Sequence, residues 1–592
     1  MSKKKEAPDS KATLGKLRRL YDTALSRYSA EHRHIKLLDA TDNGQLWQAL
    51  GVKFPPYQIL PDTNWVSYVK SNLVSSIYTV AKAADLAPTS EKDKDIIMKL
   101  NIALDRIWAL CDVGNYQFQA GEWAALTNLG ITQVGWDDTL TMGGEENFIK
   151  GNVALKNVDP LKFMRDPFAT SLDTAGYCMT YDVYHKSVFE ENDAYKEEFE
   201  KYLAGQKSGS TFKIPQLSTH IPAGADDYYT LLTFWIREGG KINEIHTVNC
   251  EHILYEKEDI QPSMFPFAML YCNYPRGGRT VGVSECSKIF ANNVAFNLLD
   301  SIAATTEYRN QNASTYVSSD SDINAQFFAK NKDNPRCTYT VKGDPTKAVA
   351  YQRYPEVSAM LSHLRLGLGE GIQRVSGVDA RYTGRDTGSI LTTGGMEDML
   401  NRVTLVDTPK IENYEKYAKT LTKLILANYL EFGQSRKYLY KKPDDTQWNS
   451  TEVDFPNLAK EAKDTVFHYE LNVSSLLPKN RQRLAQTATV LMEKQMQYGN
   501  QGGVELITPQ EWLMMQDLPN KEMLLERMGI QRSHNLIEDI SETLFEYGEL
   551  AKQGMDPEQA ILSIAKNKER KMQGAPPLQA NDPTLEGGMP LM

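Results

Sequence analysis

Apolar side chains near the start of the chain recur at steps of three and four residues. They are Leu14, Leu17, Tyr21, Leu25 and Tyr28. This spacing predicts an amphipathic helix. Its outer face is basic, because residues 2–37 carry ten Lys and Arg against four Asp and Glu. That face is either a solvated surface or a contact for an acidic partner. Two further helical stretches are predicted near 62–84 and 90–128.

The middle of the chain has the pattern of β-strands. Five short segments are rich in valine, threonine, isoleucine and aromatic residues, and they are bounded by glycine, aspartate, asparagine or proline. They are residues 131–136, 152–157, 177–184, 228–238 and 241–246. Residues 204–227 are polar and predict a loop or an internal linker. Helices and strands in these proportions indicate a mixed α+β fold.

The helical pattern returns within residues 281–311. Apolar residues recur there at every fourth position, namely Phe290, Val294, Leu298 and Ile302. The opposite face carries short amides and hydroxyls, including Asn293 and Asn297. A solvated helix face normally carries lysine and glutamate, so this polar face predicts close helix packing between subunits. Ser284 is the predicted N-cap of the helix, with Glu285 in its first turn.

A small insert and a second helix follow. In the insert, residues 312–354, alternation at Cys337, Tyr339 and Val341 predicts a strand, and residues 342–345 predict a turn. The second helix lies within residues 355–376. Its apolar seam includes Leu361, Leu364 and Leu368. The helix also contains three glycines, each of which costs about 0.5–1 kcal/mol relative to alanine. They indicate the close approach of a neighbour or a bend.

A long loop separates these elements from the last third of the chain. Residues 377–395 are rich in glycine, threonine and arginine, and a loop of this length is usually functional or mobile. The following helical segment begins at residue 396, and Pro409 should kink it. Helices return over 481–572. Residues 573–592 contain four prolines and no apolar period, which predicts a disordered tail.

Composition excludes several classes of protein. The 592 residues carry 66 Lys and Arg against 76 Asp and Glu, so the net charge is −10. A protein built to hold DNA tightly needs a basic contact face, and this balance argues against one. No apolar run reaches the roughly 18 residues that span a bilayer, and no secretory signal is predicted, so no membrane partner is expected. Six cysteines without a CxxC pair favour buried thiols in a reducing compartment.

No set of residues predicts catalysis or a bound cofactor. The phosphate-binding motif GxxxxGK[ST] does not occur in the sequence. His246, Cys250 and His252 would fall on one face of a strand, but they would extend over about 20 Å, too far for one ion. We therefore expect no cofactor, no metal site and no enzyme activity.

The order of these elements and several short motifs resemble a known family. Gly282-Val283-Ser284-Glu285 leads into the first helix, Val375-Ser376-Gly377-Val378 precedes the long loop, and Thr393-Gly394-Gly395-Met396 follows it. With the segment 504–527, they are similar to the portal proteins, or head-tail connectors, of tailed bacteriophages. The resemblance covers roughly residues 60–570. In that family a mixed wing domain precedes an outer stem helix, a clip, an inner stem helix, a tunnel loop, a long kinked wing helix and a helical crown.

The resemblance implies an α+β, portal-like architecture that is assembled as a ring. Residues 1–60 would be an N-terminal basic helical segment and residues 61–280 the wing, with helices followed by strands. The remaining segments would be the outer stem helix (281–311), the clip (312–354), the inner stem helix (355–376), the tunnel loop (377–395), the kinked wing helix with wing strands (396–480), the crown helices (481–572) and the tail (573–592).

The resemblance also implies a function and partners. Portals are dodecameric rings at one capsid vertex of the virion, assembled in the host cytoplasm. Double-stranded viral DNA passes through the ring during packaging and ejection. The implied partners are further copies of the chain, the large terminase subunit, the major capsid and scaffolding proteins, and tail or adaptor proteins. A mostly acidic channel wall would let the duplex slide, which agrees with the net charge of −10.

Three groups of site residues follow from the resemblance. The tunnel loop would contact DNA through Asp379, Arg381, Tyr382, Arg385 and Asp386. The stem would contact neighbouring subunits through Asn293, Asn297, Leu361, Leu364 and Leu368. The clip would meet the packaging motor and then the tail through Arg336, Lys342 and Lys347. Two other functions remain open on the sequence alone: a non-viral ring-forming scaffold, and a cytoplasmic enzyme with an unrecognised site.

Overall fold

A computed structural model describes most of the first 471 residues and a few later ones. The described residues are 10–79, 82–88, 94–142, 149–205, 227–276, 279–312, 314–331, 334, 337–352, 356–376, 393–440, 449–461, 467–471, 489, 508–509 and 512–513. The chain divides into two compact units, residues 1–438 with 450–477, and residues 439–449 with 478–592. Nearly all of the described residues belong to the first unit.

The fold is mixed α+β. The described helices are α1 (Ser10–Asp42), α2 (Leu46–Ala49), α3 (Trp65–Ile77), α4 (Lys94–Leu110), α5 (Val113–Thr127), α6 (Lys186–Glu191), α7 (Lys196–Gly205), α8 (Glu285–Gln311), α9 (Ala325–Asn331), α10 (Pro345–Ala348), α11 (Ala359–Ser376), α12 (Thr393–Phe432) and α13 (Phe455–Glu461). The described strands are β1 (Asp85–Ala87), β2 (Leu129–Met142), β3 (Ile149–Asn157), β4 (Phe163–Arg165), β5 (Tyr177–His185), β6 (Tyr228–Glu238), β7 (Lys241–Val248), β8 (His252–Lys257), β9 (Phe267–Tyr271), β10 (Thr315–Val317), β11 (Val349–Tyr351), β12 (Arg436–Tyr440), β13 (Asn449–Val453) and β14 (His468–Glu470).

The first unit contains two larger antiparallel sheets. One has the strand order β3-β2-β9, and the other has the order β4-β5-β6-β7-β8. The five predicted strand segments all fall within these sheets, so those predictions are confirmed. Short two-stranded sheets pair β1 with β14, β10 with β11, and β12 with β13.

The larger hydrophobic core joins the helices to the three-stranded sheet. Leu73 of α3, Leu104 of α4 and Tyr417 of α12 are among its buried members. α5 lies directly on β2, and a Cβ at Gly130 would come within 2.0 Å of the Ala120 carbonyl oxygen. Only glycine permits this approach. α12 continues through Pro409, so the prediction of a long helix that contains this proline is confirmed.

The second core lies between α1 and the sheets. Leu17, Tyr21 and Tyr28 are buried there, as their spacing predicts. The Tyr28 hydroxyl accepts a hydrogen bond from the backbone N–H of Arg165, at 3.2 Å. α1 is therefore held to the strand region by its predicted apolar face, and its basic residues lie toward the opposite side.

Two local predictions are wrong. The helix predicted over 90–128 is two helices, since Asp112 adopts a left-handed backbone conformation (φ 49°) between α4 and α5. In the insert, Cys337, Tyr339 and Val341 lie outside any described strand, and the strands are β10 and β11 instead. The alternation at Tyr339 reflects packing against Phe328, with ring centroids 5.1 Å apart.

His32 gives the first unit a pH-dependent stability. The ring is 2% exposed and lies 5.3 Å from the ring of Tyr28. Burial, followed by the charge of Lys36, lowers the pKa of His32 to about 4 from the ordinary value near 6.5. Below about pH 6.5 the unfolded chain therefore binds a proton that the folded chain excludes. Folding should lose about 3 kcal/mol from this residue as the pH falls from 6.5 to 4.

The measurement is urea-induced unfolding between pH 4 and pH 7. We expect His32→Leu to remove that part of the pH dependence, because leucine does not titrate. His363→Gln is the control, since His363 lies on the exposed surface of α11. Equal pH dependence in the wild type and in His32→Leu would show that His32 is not the responsible group.

Candidate functional site

The start of α8 is fixed by the predicted cap. The hydroxyl of Ser284 accepts a hydrogen bond from the backbone N–H of Ser287 at 2.9 Å and donates one to the carbonyl of Leu126 at 2.7 Å. Glu285 follows in the first turn, where a carboxylate interacts favourably with the positive end of the helix dipole. The prediction for this helix start is confirmed.

Glu285 belongs to a buried group of charges that joins α8 to α12. Its carboxylate lies 2.8 Å from Nζ of Lys288 and 3.7 Å from Nζ of Lys410. Lys410 also lies 3.0 Å from the carboxylate of Asp407. Burial alone would lower the pKa of Lys410, but the negative charges of Asp407 and Glu285 outweigh it and raise that pKa. The group fixes the first turn of α8 to α12 beside Pro409.

The polar face of α8 binds a segment of its own chain. The Asn297 side chain accepts a hydrogen bond from the backbone N–H of Thr63 at 2.6 Å and donates one to the Thr63 carbonyl at 3.1 Å. The hydroxyl of Ser301 donates to the Ile59 carbonyl at 2.6 Å, and that of Thr305 accepts from the Ile59 N–H at 3.1 Å. The non-helical segment before α3 thus obtains its backbone partners from side chains of α8.

These contacts correct the prediction for Asn293 and Asn297. Both side chains are fully buried within one chain. Asn297 binds Thr63, and Asn293 accepts a long hydrogen bond from the N–H of Trp65 at 3.4 Å. Neither asparagine is therefore available to a neighbouring subunit. The signal that indicates the true partner is an uncharged polar repeat facing a segment that lacks regular structure.

Replacing Asn297 with leucine should lower the free energy of unfolding by about 1–3 kcal/mol. The Thr63 N–H would lose its partner, at about 1–3 kcal/mol, whereas the Thr63 carbonyl keeps its hydrogen bond from the N–H of Trp65 at 3.0 Å. Urea-induced unfolding measures this difference. Gln311→Leu, at the exposed end of the same helix, should cost less than about 0.5 kcal/mol. Equal effects of the two substitutions would show that the contact with Thr63 does not stabilise the fold.

α11 runs antiparallel to α8 and packs against a different side of it. The Arg365 guanidinium forms an ion pair with Asp300 and lies over the ring of Phe296, 4.8 Å from its centroid. Farther along the helix, Ile372 is fully buried in the larger core and Leu368 is partly buried against it. α8 and α11 are therefore joined by apolar contacts near Leu368 and Ile372 and by a charged contact at Arg365.

Both helices leave large apolar side chains uncovered. On α11 these are Met360, Leu364, Leu366 and Val375, and on α8 they are Leu298, Ile302 and Tyr308, all between 40% and 64% exposed. Of the 24 large apolar side chains exposed among the described residues, ten lie between residues 298 and 375. The exposed apolar surface of the described chain is thus concentrated on the helix pair and the insert.

The residues of the predicted apolar seam of α11 face two different directions. Leu368 faces α8 and the core, and Leu361 is half-buried. Leu364 is exposed and lies on a row with Met360 and Val375. The apolar face of α11 is therefore wider than the surface that its own chain covers.

The glycines of α11 are not required by packing within the chain. A Cβ at Gly367 would meet no atom within 4 Å. At Gly369 it would lie 3.7 Å from Phe296, and at Gly371 it would lie 3.9 Å from Asn292, which are ordinary contacts. α11 is nevertheless one unbroken helix, so the helix retains three unfavourable residues that no contact of its own chain explains.

The insert connects the two helices through the β10–β11 pair. Lys342 and Lys347 are exposed there, and Nζ of Lys342 lies 3.6 Å from the carboxylate of Asp322. An ion pair this exposed contributes little to stability. Asp344 accepts a hydrogen bond from the N–H of Thr346 and caps α10, which confirms the predicted turn into Pro345. Arg336 lies outside the described residues.

The remaining predicted site residues also lie outside the described part of the chain. They are Asp379, Arg381, Tyr382, Arg385 and Asp386. The same holds for the predicted tail at 573–592 and for most of the predicted crown at 481–572, where only 489, 508–509 and 512–513 are described. Their predicted roles stay predictions.

The histidines near Cys250 are not on one strand. The chain reverses at Asn249 and Cys250, both at positive φ, so that β8 folds back on β7 and Val248 lies opposite His252. Nδ1 of His246 lies 2.6 Å from the hydroxyl of Tyr195, and Nε2 of His252 lies 3.0 Å from Glu198. Among the described residues, no group of three or more His, Cys, Asp or Glu side chains is placed to hold a metal ion.

Comparison with protein-family models and with curated protein sequences finds no match for this chain. Within the described ranges, each helix is either too short or too polar to cross a membrane. The exposed helix pair and its insert are therefore the main structural basis for assigning a function.

Proposed function

We propose that the chain is the subunit of a ring-shaped portal of a tailed bacteriophage, in which α8 and α11 are the outer and inner stem helices and residues 312–354 are the clip. The observation that carries the proposal is the apolar surface left exposed on this helix pair. Soluble monomers rarely expose contiguous apolar patches larger than roughly a few hundred Å², and larger patches commonly mark a site of association.

The position of the exposed residues favours a ring over a symmetric dimer. Leu298 and Ile302 each follow by two residues a side chain that contacts α11, and two residues correspond to about 200° around a helix. They therefore lie on the side of α8 turned away from α11. Leu364 and its row occupy a separate surface on α11. Two different apolar surfaces on one chain suit a head-to-tail interface, which gives a ring when the rotation between neighbouring subunits closes on itself.

In such a ring the other segments acquire roles. Residues 377–395 would face the channel, where two arginines and two aspartates between positions 379 and 386 give no net charge. Contact with DNA would then be transient, as a conduit requires. Lys342 and Lys347, which are exposed on the insert, would meet the terminase during packaging and tail or adaptor proteins afterwards. Capsid and scaffolding proteins would surround the ring at one vertex of the particle.

The substitution Gly367→Ala distinguishes a stem helix, which contacts neighbouring subunits, from an ordinary surface helix. Alanine should stabilise α11 in the single chain by about 0.5–1 kcal/mol, because Gly367 has open space around its Cα. The same methyl group should weaken assembly if a neighbouring subunit approaches closely. Thermal unfolding and sedimentation velocity measure the two effects. Gly15→Ala, in open space on α1, should change stability without changing assembly. Unaltered assembly in Gly367→Ala would show that no neighbouring subunit approaches α11 closely at this glycine.

Light scattering coupled to size-exclusion chromatography tests the proposal. Twelve copies of the 66.8 kDa chain would have a mass of about 800 kDa, and a ring of another number would still give a large integral multiple. A single species of 66.8 kDa at all protein concentrations would contradict the proposal and would favour a monomeric enzyme.

A further inference from the structure

A cavity of about 520 Å³ lies between α1, the end of α5 and the loop that precedes α8. The side chains that line it include Arg27 and His34 from α1, and Arg279 and Thr280 from the loop. The arginines of the cavity extend the basic face of α1. The helix pair α8 and α11 provides no partner for that face. The cavity is lined by no residue of α11, so the inference below does not rest on the proposed function.

The one acidic residue in the cavity is already engaged. Glu31 accepts hydrogen bonds from the backbone N–H groups of Thr280, at 3.2 Å, and Val281, at 3.0 Å, and from the hydroxyl of Thr280. Its carboxylate therefore organises the loop before α8. It forms no ion pair with either arginine of the cavity within the part of the chain that the structure describes.

Neither Arg27 nor Arg279 forms an ion pair among the described residues, and the carboxylate of Glu31 is held by the loop instead. The contact described for the Arg27 guanidinium is with the ring of Phe168, 5.7 Å from its centroid. Arg279 is exposed on the loop. Burial, followed by the charge of Arg279, lowers the pKa of His34. Near neutral pH His34 is therefore uncharged, and a neutral imidazole offers one N–H donor and one acceptor. An anion between these groups would relieve their mutual repulsion.

The start of α8 borders the cavity, since Val283 and Ser287 line it. The N–H of Ser287 already donates to Ser284, and the Glu285 carboxylate lies in the same turn, so the two guanidinium groups are the anion-binding part of the cavity. Planar guanidinium groups match the oxygen atoms of phosphate in a bidentate geometry.

We infer that this cavity binds a phosphate group, with Arg27 and Arg279 as the charged donors and the ring of His34 beside them, while the Glu31 carboxylate stays bonded to the hydroxyl of Thr280. The phosphate comes either from a small free anion or from a nucleic-acid backbone. Both sources present the same tetrahedral oxyanion to the cavity, and they differ in how binding responds to the length and charge of the ligand.

The test is isothermal titration calorimetry of the full chain with inorganic phosphate, at constant ionic strength in chloride. The double variant Arg27→Gln with Arg279→Gln should bind phosphate at least about tenfold more weakly, because it lacks two charge-assisted hydrogen bonds. Arg33→Gln with Arg276→Gln is the matched control. It removes the same charge from exposed positions on the same helix and the same loop, and neither residue lines the cavity. The control should bind phosphate within about twofold of the wild type.

A second arm identifies the source of the phosphate. A short DNA duplex is titrated into the same proteins. Binding of the duplex that depends on Arg27 and Arg279, without measurable binding of inorganic phosphate, supports a nucleic-acid source, and the reverse supports a free anion. Equal loss in both double variants would show that only general charge matters and would overturn the inference. The absence of saturable binding of either ligand to the wild type would overturn it as well.

A pair of conservative substitutions controls for loss of structure. Arg27→Lys with Arg279→Lys keeps both charges but not the bidentate geometry. We expect binding between that of the wild type and that of the glutamine pair. Full loss in the lysine pair together with an unchanged thermal midpoint would assign the effect to geometry and support the inference. Wild-type affinity in the glutamine pair would contradict it.

Discussion

Replacing Lys410 with alanine is expected to lower the free energy of unfolding of the first unit by about 3–5 kcal/mol. Lys410 is buried between Glu285 of α8 and Asp407 of its own helix. Without it, Asp407 loses its cation, the buried Glu285 keeps only Lys288, and the removed side chain leaves a cavity. Urea-induced unfolding, followed by tryptophan fluorescence, measures the effect.

The raised pKa of Lys410 fixes the pH range of this effect. A lysine whose pKa is higher in the folded state contributes its full stabilisation below the ordinary pKa near 10.4 and loses it as the pH rises through the folded value. The contribution should therefore be complete at neutral pH.

Lys416→Ala is the control for Lys410→Ala, because Lys416 is exposed on the same helix and should change stability by less than about 0.5 kcal/mol. A loss in Lys410→Ala as small as in Lys416→Ala would mean that the buried charges do not join α8 to α12. Glu285 is in the first turn of α8. Such a result would therefore also mean that this group of charges does not anchor the proposed stem to the rest of the unit.

Replacing Leu364 with aspartate is expected to convert the assembled protein into single chains. Leu364 is half exposed in the chain, so its replacement should leave the fold intact. At an interface, loss of one buried leucine side chain costs about 1.5–3 kcal/mol, which weakens each contact by about 10- to 100-fold. The buried charge adds to this cost, and in a ring the change recurs at every contact.

Sedimentation velocity measures the change in assembly. Leu110→Asp is the matched control, because Leu110 is equally exposed but lies at the end of α4, outside the proposed stem. We expect that variant to assemble as the wild type does. Equal assembly in Leu364→Asp and the wild type, or equal disruption by both substitutions, would exclude the surface of α11 as a specific interface.

The sequence predicts the elements whose burial is decided locally. The repeat at Leu17, Tyr21 and Tyr28 is satisfied by one core, and the helix lies as predicted. The strand segments around 177–184 and 228–238 are found for the same reason, since each is bounded by turn residues. Local pattern does not reveal the break at Asp112, where a left-handed residue divides a continuous apolar period.

The sequence pattern wrongly predicts which face of α8 is buried, and the reason is a contact that is distant in sequence. Its period suggests that the apolar side is covered, but the polar side is buried instead, because the 59–65 segment, more than 230 positions away in sequence, requires hydrogen-bond partners. For α11 the period is correct, but it does not separate Leu368, which faces the core, from Leu364, which faces outward. The cavity that Arg27 and Arg279 line could not be predicted either, because the two residues come to one cavity only through the packing of α1 beside the start of α8.

Electron microscopy of the purified full chain in negative stain tests the proposed function most directly. We expect rings with a central channel and rotational symmetry, and rings of Leu110→Asp that are indistinguishable from them. Images that contain only particles of single-chain size, at concentrations where the chain is folded, would contradict the proposal that the helix pair forms the stem of a portal.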